Sequence, residues 1–532
     1  MLPMEAAAMP NLCRTQQLAK LAQHSFDVLV IGGGATGAGI ALDAASRGLS
    51  VALVEQHDFA AGTSSRSSKL IHGGVRYLQA AVTRLDRAQW RLVREALAER
   101  AILLRIAPHL VRPLRTLIPV HSWFERCKYH AALWLYDRAA GSAMIAASHF
   151  LSRAELLAAV PTLARHGLKG AVAYYDAQFD DARMVIALLL TAVREGAVIA
   201  NHVEVTRLLE TNGRLCGVQA VNRLSDEPLQ IRASVIINAT GPQADRLRHM
   251  ENPQAKPLVT TSRGSHIVLD HSWTPTGDAL LLPHTSDGRV LFVLPWQQHT
   301  LVGTTDVAAE VQNDPQPEQA EIDYLLAHLH TLYDPPPSRH HILASWAGLR
   351  PLTHSSSSNT AHIVREHHLE RGNKDLITIT GGKWTTYRKM AEESVDLAIA
   401  SAQLTPTRSC HTQQLQLVGA CGFSDQLAME LAHRYALDND IAQHLAHAYG
   451  SCAHSLLAAA SSADRQRILA GYPYLQAEIV WAYTQEMAMS AADIVQRRLR
   501  LGFLDQKAAQ LATQRVQERL VQLINAQQQK QL

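Results

Sequence analysis

The sequence predicts an α/β chain in three parts: a nucleotide-binding domain on a Rossmann-like βαβ unit, a β-sheet-based substrate cap domain, and a C-terminal α-helical domain. Three observations predict it. The run from Phe26 to Glu55 reads FDVLVIGGGATGAGIALDAASRGLSVALVE, two later apolar strands end in Thr240-Gly241 and Gly381-Gly382, and after Pro406 the chain turns Ala- and Gln-rich with helical spacing.

Each piece of the first run has a physical task. Val28 to Ile31 is apolar and rich in β-branched residues, which suits a strand buried on both faces. Gly32, Gly34 and Gly37 fill the G-x-G-x-x-G positions. The first permits a tight turn, the second lets backbone approach a pyrophosphate, and the third lets the following helix pack closely on the strand. The helix N-terminus is then free to hold the anion. Val51 to Val54 makes a second strand, and Glu55 ends it eighteen residues beyond Gly37, where an acid can bond ribose hydroxyls. The unit argues for a dinucleotide and leaves FAD and NAD both open.

Composition bounds the rest. A chain of 532 residues is too long for one core, and 47% hydrophobic content with a mean hydropathy of −0.07 describes a soluble globular protein. A net charge of +3 gives no general argument for nucleic acid. Six cysteines without C-x-x-C spacing disfavour zinc, a redox disulfide or a secreted scaffold, and fit a reducing, cytoplasmic setting. The 27 histidines form no metal-ligand constellation, so no metal is expected. No apolar run is long enough to cross a bilayer, and the N-terminus lacks the basic start and apolar stretch of a signal peptide. Residues 1–25, with a weak helix around Thr15 to Gln23, read as a mobile or loosely docked extension.

Further along, a small, hydroxyl-rich loop from Ala60 to Lys69 runs into LIHGGVRY, where two glycines, a histidine, an arginine and a tyrosine crowd into eight positions. That density is site-like. A charged helical pattern covers Leu85 to Ala107, and Asp180-Asp181 can cap a helix from Ala182 to Glu195. A strand and meander follow, then the apolar run Val235-Ile236-Ile237 ends in Asn238-Ala239-Thr240-Gly241. Small residues there replace bulk at a strand's carboxyl end, where open α/β sheets bind ligands. From Val259 to Asp306 alternating strands suggest the second sheet of the cap. Ile377 to Thr380 then runs into Gly381-Gly382-Lys383 and a helix N-terminus that can stabilise negative charge. Three strand-to-glycine sites favour a flavoprotein over a simple NAD dehydrogenase. The division expected is 1–25 extension, 26–110, 166–250 and 345–400 FAD-binding domain, 111–165 cap with a membrane-contact candidate, 251–344 substrate cap, and 401–532 helical domain.

The motifs IGGGATGAG with Glu55, TSSRSSKLIHGGVRYL, DDARM, INATGP, RGSHIVL, LPW with VGTTD, AGLRPL and GGKWTTYRKMAE occur in that order. Together they resemble the FAD-dependent glycerol-3-phosphate dehydrogenase family of the aerobic, respiratory type, from Phe26 to Glu393, with a weaker continuation at Asp493 and Arg497 to Gly502. Two departures are Trp384, where an aliphatic residue is also common, and the long N-terminal segment.

The resemblance implies oxidation of sn-glycerol 3-phosphate to dihydroxyacetone phosphate by hydride transfer from C2 to flavin N5, with electrons passing to a membrane quinone. A phosphate dianion needs fixed cations, and Arg76, Arg350, Arg365 and Lys383 lie in or beside the motifs, with Tyr77 as a hydroxyl donor. The substrate hydroxyl must also lose its proton. His72 and His266 are the candidate bases beside Arg350 and Lys383, because a guanidinium is too basic to accept one. His72 could instead only bond the flavin, and His266, within a strand, could be a satisfied core residue. For FAD, Gly32, Gly33, Gly34, Gly37 and Glu55 are expected to hold the ADP half, and Thr63, Ser64, Ser65 and Lys69 the pyrophosphate and flavin. The resemblance also implies that Val205 meets the adenine, as its strand does in the family, and that Thr240, Gly241, Gly382, Lys383 and Thr385 close the site.

Residues 121–138 interleave Trp123, Phe124, Tyr129, Trp134 and Tyr136 with Arg126, Lys128 and Arg138, which suits either an interfacial helix or one packed on the cap. The expectation is a cytoplasmic protein held peripherally at the inner face of the cell membrane, with room for a homodimer. Rival readings are an oxidase of the same substrate using oxygen, and an amine or amino-acid oxidase on the same scaffold. A non-catalytic FAD-binding module expects losses at His72, Arg76, Arg350 or Lys383, and all four are present.

Overall fold

The computed structural model describes residues 12–74, 87–353 and 367–531. Two sheets organise them. In the first, the strands Ser25–Ile31, Val51–Val54, Val198–Ala200, Glu227–Asn238 and Ile377–Gly381 run parallel, in the spatial order 377–381, 227–238, 25–31, 51–54, 198–200. The antiparallel strand His367–Arg371 forms one edge, and the strands Val203–Thr211 and Arg214–Asn222 extend the amino half of 227–238 as a meander. The register pairs Ile31 with both Asn238 and Val54, and Asn238 with Thr378. Three carboxyl ends therefore meet along one edge, each followed by a turn of small residues.

Apolar burial on both faces explains the Val/Ile runs. The helices Ala35–Ser46, Asp181–Arg194 and Tyr387–Ala402 cover one face, with Val28, Val30, Leu188, Tyr387 and Ala391 in a single cluster. Gly39 lets two of these helices touch, since a Cβ there would stand 2.8 Å from the Tyr387 ring. On the other face Leu21, Leu29, Val205 and Ile236 pack together. Leu21 belongs to the helix Arg14–Gln23, which is firmly docked rather than a loose extension. Arg14 Nη2 donates to the Asn201 carbonyl and to Asn222 Oδ1, both at 2.8 Å, and Gln17 Oε1 accepts from the Ile199 N–H at 3.1 Å. A short polar helix docked by bonds to a strand end leaves little apolar periodicity to read.

Among the described residues the second sheet has ten strands. Its long members are Val111–Val120, Gly170–Phe179, Val259–Asp270 and Ala344–Thr353, and the last two pair antiparallel over ten positions. This corrects the expected division at three places. Leu70–Ile71, Gly170–Phe179 and Ala344–Thr353 are strands of the cap sheet, although they fall in stretches assigned above to the nucleotide domain. Alternation shows that a strand exists; its sheet is chosen by partners far away in sequence.

The C-terminal helical domain begins as part of the same body. Leu431 and Leu445 share one apolar cluster with Leu103, Val185 and Val395, while residues around Ile479, Val495 and Val516 form a cluster of their own. It is thus only partly the separate unit expected from sequence. Among the described residues no helix is long and apolar enough to cross a membrane.

Candidate active site

The glycine loop is built as its spacing requires. Gly32 has φ +114°, and a Cβ there would lie 2.6 Å from the Ala239 carbonyl oxygen. A Cβ on Gly37 would stand 1.9 Å from the Gly32 carbonyl oxygen. Gly37→Ala is therefore expected to destabilise the protein by about 1–3 kcal/mol through overpacking. The urea midpoint measures this, and an unchanged midpoint would show that helix and strand separate without cost.

The cleft above this loop has a volume of about 1550 Å³ including its open mouth. It runs along the three strand ends. Gly32, Gly34, Glu55, Thr63, Ser64, Val205, Thr240, Gly241, Gly382 and Lys383 all line it. Gly33 stands behind the lining and donates its N–H to Glu55 Oε2 at 2.7 Å, while Glu55 Oε1 accepts from the His57 N–H at 2.9 Å. Burial raises the Glu55 pKa, and these two N–H donors oppose the rise. At the middle of the cleft the helix Ala35–Ser46 presents its N-terminus, with no acidic residue in its first turn to cancel the dipole. Ser64 Oγ accepts from the Ala35 N–H at 2.8 Å, and the Ser64 carbonyl accepts from the Trp384 indole N–H at 3.0 Å. The tryptophan that departs from the family pattern thus ties the first loop to the third glycine turn. Gly241, with φ +57°, borders open space, since a Cβ there would meet nothing within 4 Å.

Other expected residues are placed elsewhere. Lys69 and Ser65, read from sequence as cofactor contacts, do not line the cleft. The Lys69 ammonium is wholly buried, donating to Asp181 Oδ2 at 2.6 Å and to the Ser65 carbonyl at 2.8 Å. Burial draws its pKa down to about 7 against the attraction of Asp181. Thr385 lies behind the wall, its hydroxyl 3.3 Å from the His72 backbone nitrogen. His72 itself is half-buried and also absent from the lining. Arg76, Tyr77 and Arg365 lie outside the described residues.

The cap sheet supplies the remaining chemistry. Arg350 sits between Leu349 and Pro351, which line the cleft, and its Nη2 donates to Thr304 Oγ1 at 2.9 Å and to the Thr305 carbonyl at 3.0 Å. Its Nη1 lies 3.3 Å from Asp306 Oδ1. Gly264 makes room for it, because a Cβ there would stand 2.3 Å from Arg350 Nη2. Two residues on, His266 is buried, stacked on Trp346 at 4.2 Å, with Nε2 2.9 Å from Ser68 Oγ. Gly303 opposite lacks the Cβ that would strike its ring. Burial, with the charges of Lys69 and Arg350, holds its pKa well below the ordinary value, so the imidazole is neutral. The glycines of RGSHIVL and VGTTD thus clear space for Arg350 and His266. Sequence reading missed Arg66, Gln243 and Arg246, which also line the cleft. Arg66 carried a signal in its hydroxyl-rich loop; the other two lie on ordinary helical sequence.

A glycine loop and helix dipole at the centre, a buried acid and a meander strand at one end, and a lysine and tryptophan at the other suit an extended flavin dinucleotide. The fold and cleft define an FAD-dependent oxidoreductase. The sequence profile of the FAD dependent oxidoreductase family matches residues 27–397, and that of the C-terminal domain of alpha-glycerophosphate oxidase matches residues 410–531. The chain is 43% identical to the mitochondrial glycerol-3-phosphate dehydrogenase of Arabidopsis thaliana over 94% of its length and 83% of that protein. It is 43% identical to the mitochondrial glycerol-3-phosphate dehydrogenase of Homo sapiens over 96% of its length and 72% of that protein. The glycerol-3-phosphate dehydrogenase from Bacillus halodurans, solved in complex with FAD, is similar in structure at a TM-score of 0.77 and 31% identity, covering 94% of this chain and 91% of that one. This chain belongs to the FAD-dependent glycerol-3-phosphate dehydrogenase family, and FAD is its cofactor.

Proposed function

We propose that this chain oxidises sn-glycerol 3-phosphate to dihydroxyacetone phosphate and delivers the electrons to a membrane quinone. The observation that carries the reading is the set of fixed cations around the cleft: Lys383 and Arg66 line its wall, and on the cap strand whose Leu349 and Pro351 also line it the guanidinium of Arg350 is held by Thr304, Thr305 and Asp306. Fixed donors of this kind recognise a phosphate dianion, and their preorganisation limits the entropy lost on binding. Bound FAD supplies the two-electron acceptor for the alcohol carbon. Steady-state turnover with a soluble dye acceptor on glycerol 3-phosphate, against a panel of amino acids, tests the substrate. Preference for an amino acid overturns it, and stoichiometric peroxide with no reduction of a quinone analogue overturns the acceptor.

Membrane contact rests on the helix Trp123–Ala140. Leu133 and Tyr136 pack into the cap, while Trp123, Phe124 and Trp134 are 61%, 77% and 51% exposed. Arg126 and Arg138 lie 4.8 and 4.9 Å from the Trp123 and Trp134 ring centroids. One face thus belongs to the cap and the other suits a lipid interface with basic residues at headgroup level, so the reading is a peripheral protein on the cytoplasmic side of the cell membrane. Replacing Trp123, Phe124 and Trp134 together with Ser is expected to weaken sedimentation with anionic vesicles by about tenfold or more while leaving dye-coupled turnover intact. Equal sedimentation of parent and variant would remove this face as the membrane contact.

A further inference from the structure

The C-terminal segment reaches back under the cofactor site along two lines. Arg500, with 1% of its side chain exposed, donates through Nη2 to the Ser65 carbonyl at 2.9 Å and to Asp181 Oδ1 at 2.8 Å. Asp181 Oδ2 in turn accepts from the Ser67 hydroxyl at 2.7 Å and from Lys69. Ser64, adjacent to that carbonyl, lines the cleft and receives the Ala35 N–H of the pyrophosphate-facing helix. Along the second line, Arg498 donates to the two Asp58 oxygens at 2.8 and 3.0 Å and to the Glu486 carbonyl at 2.8 Å, while Arg497 Nε meets Asp58 Oδ2 at 2.5 Å. Asp58 is itself flanked by the cleft residues His57 and Ala60. None of the three arginines lines the cleft.

We propose that Arg500, assisted by Arg498, is a positioning residue for FAD: it holds the loop from Asp58 to Ser65 in its binding conformation, so that cofactor affinity depends on the C-terminal domain. The loop has little regular structure of its own beyond the short 3-10 turn Thr63–Ser65, and Ala60 within it has φ +62°. Ordering such a segment only when FAD arrives costs binding energy; holding it beforehand removes that cost. Removing Arg500 leaves Lys69 and Asp181 as a neutral pair, and Asp180, which loses its contact with Arg500 Nε, keeps the Arg183 N–H and the Gln297 amide as donors. The inference rests on FAD as cofactor and not on which alcohol is oxidised.

The test is titration of FAD into refolded apoprotein, followed by flavin fluorescence, for Arg500→Met, Arg500→Lys and a control, Arg467→Gln. Arg467 pairs with Asp438 and Asp440 in the same domain, away from the cleft. Arg500→Met is expected to raise the Kd for FAD by about tenfold or more with unchanged far-ultraviolet circular dichroism, and Arg500→Lys to fall between it and the parent. Arg467→Gln should stay within about twofold of the parent. Both Arg500 variants binding FAD within about twofold of the parent, or a control that loses as much as Arg500→Met, overturns the proposal. If Arg500→Met does not fold, Arg500→Lys decides by the same criterion. No turnover is read, so the outcome is independent of the substrate assignment.

Discussion

Arg350→Ala is expected to lower kcat/KM for glycerol 3-phosphate by about a thousandfold, with FAD still bound. The guanidinium is the fixed cation of the cap strand Ala344–Thr353, braced by Thr304, the Thr305 carbonyl and Asp306, and Gly264 leaves it room to reach that position. Two charge-assisted bonds to a phosphate, at roughly 1.5–3 kcal/mol each, amount to a loss of that order when both donors disappear. Arg350→Lys should recover only part of it, since an ammonium cannot present two parallel donors while keeping the brace to Thr304. Steady-state kinetics at saturating FAD, with flavin content checked by absorbance, measures the effect. A change of less than about tenfold in Arg350→Ala would place the phosphate elsewhere in the cleft.

Asp181→Ala is expected to destabilise the protein by about 3–5 kcal/mol, because it strands two cations in the interior. Lys69 and Asp181 are both 0% exposed, and Arg500 shares the same carboxylate. The Lys69 ammonium also lies 4.7 Å from the Trp346 ring centroid, 5.2 Å from that of Trp296 and 5.6 Å from that of Phe503. Those rings soften the loss of the counter-ion without replacing it. A loss of that size is a large part of ordinary folding stability, so low soluble yield or a sharply lowered urea midpoint is the expected readout. A midpoint equal to the parent's would mean that Lys69 sheds its proton at no cost.

What can be read from the chain alone depends on where the information sits along it. Gly32, Gly37 and Glu55 were legible because a strand, a turn, a helix and a second strand follow one another without a break, and each glycine answers a local steric demand. Thr240-Gly241 and Gly381-Gly382 were legible for the same reason. Lys69 misled, since a lysine in a hydroxyl-rich loop beside a phosphate site looks the same whether it faces ligand or core. Trp384 looked like a mere departure from pattern until its indole was found on the Ser64 carbonyl, 320 residues away. The strand Gly170–Phe179 went unread inside a stretch assigned to the nucleotide domain, because a strand buried at nearly every position shows no alternation and its partners lie far away in sequence.

By itself the sequence determined the dinucleotide cradle and, through its three strand-to-glycine turns, the flavin class, since turns, strand ends and helix starts are set by short-range sterics and hydrogen bonding. Only the tertiary structure decided which cations face the cleft and which brace it. Arg66, Arg246 and Lys383 line the cleft, Arg350 is held on the adjoining cap sheet and Lys69 is withdrawn because strand pairing and burial, rather than residue type, place them. Arg500 reaches Ser65 across 435 residues. A contact of that span leaves no periodic trace in sequence, and it forms only when both sheets and the C-terminal helices have packed around one interior.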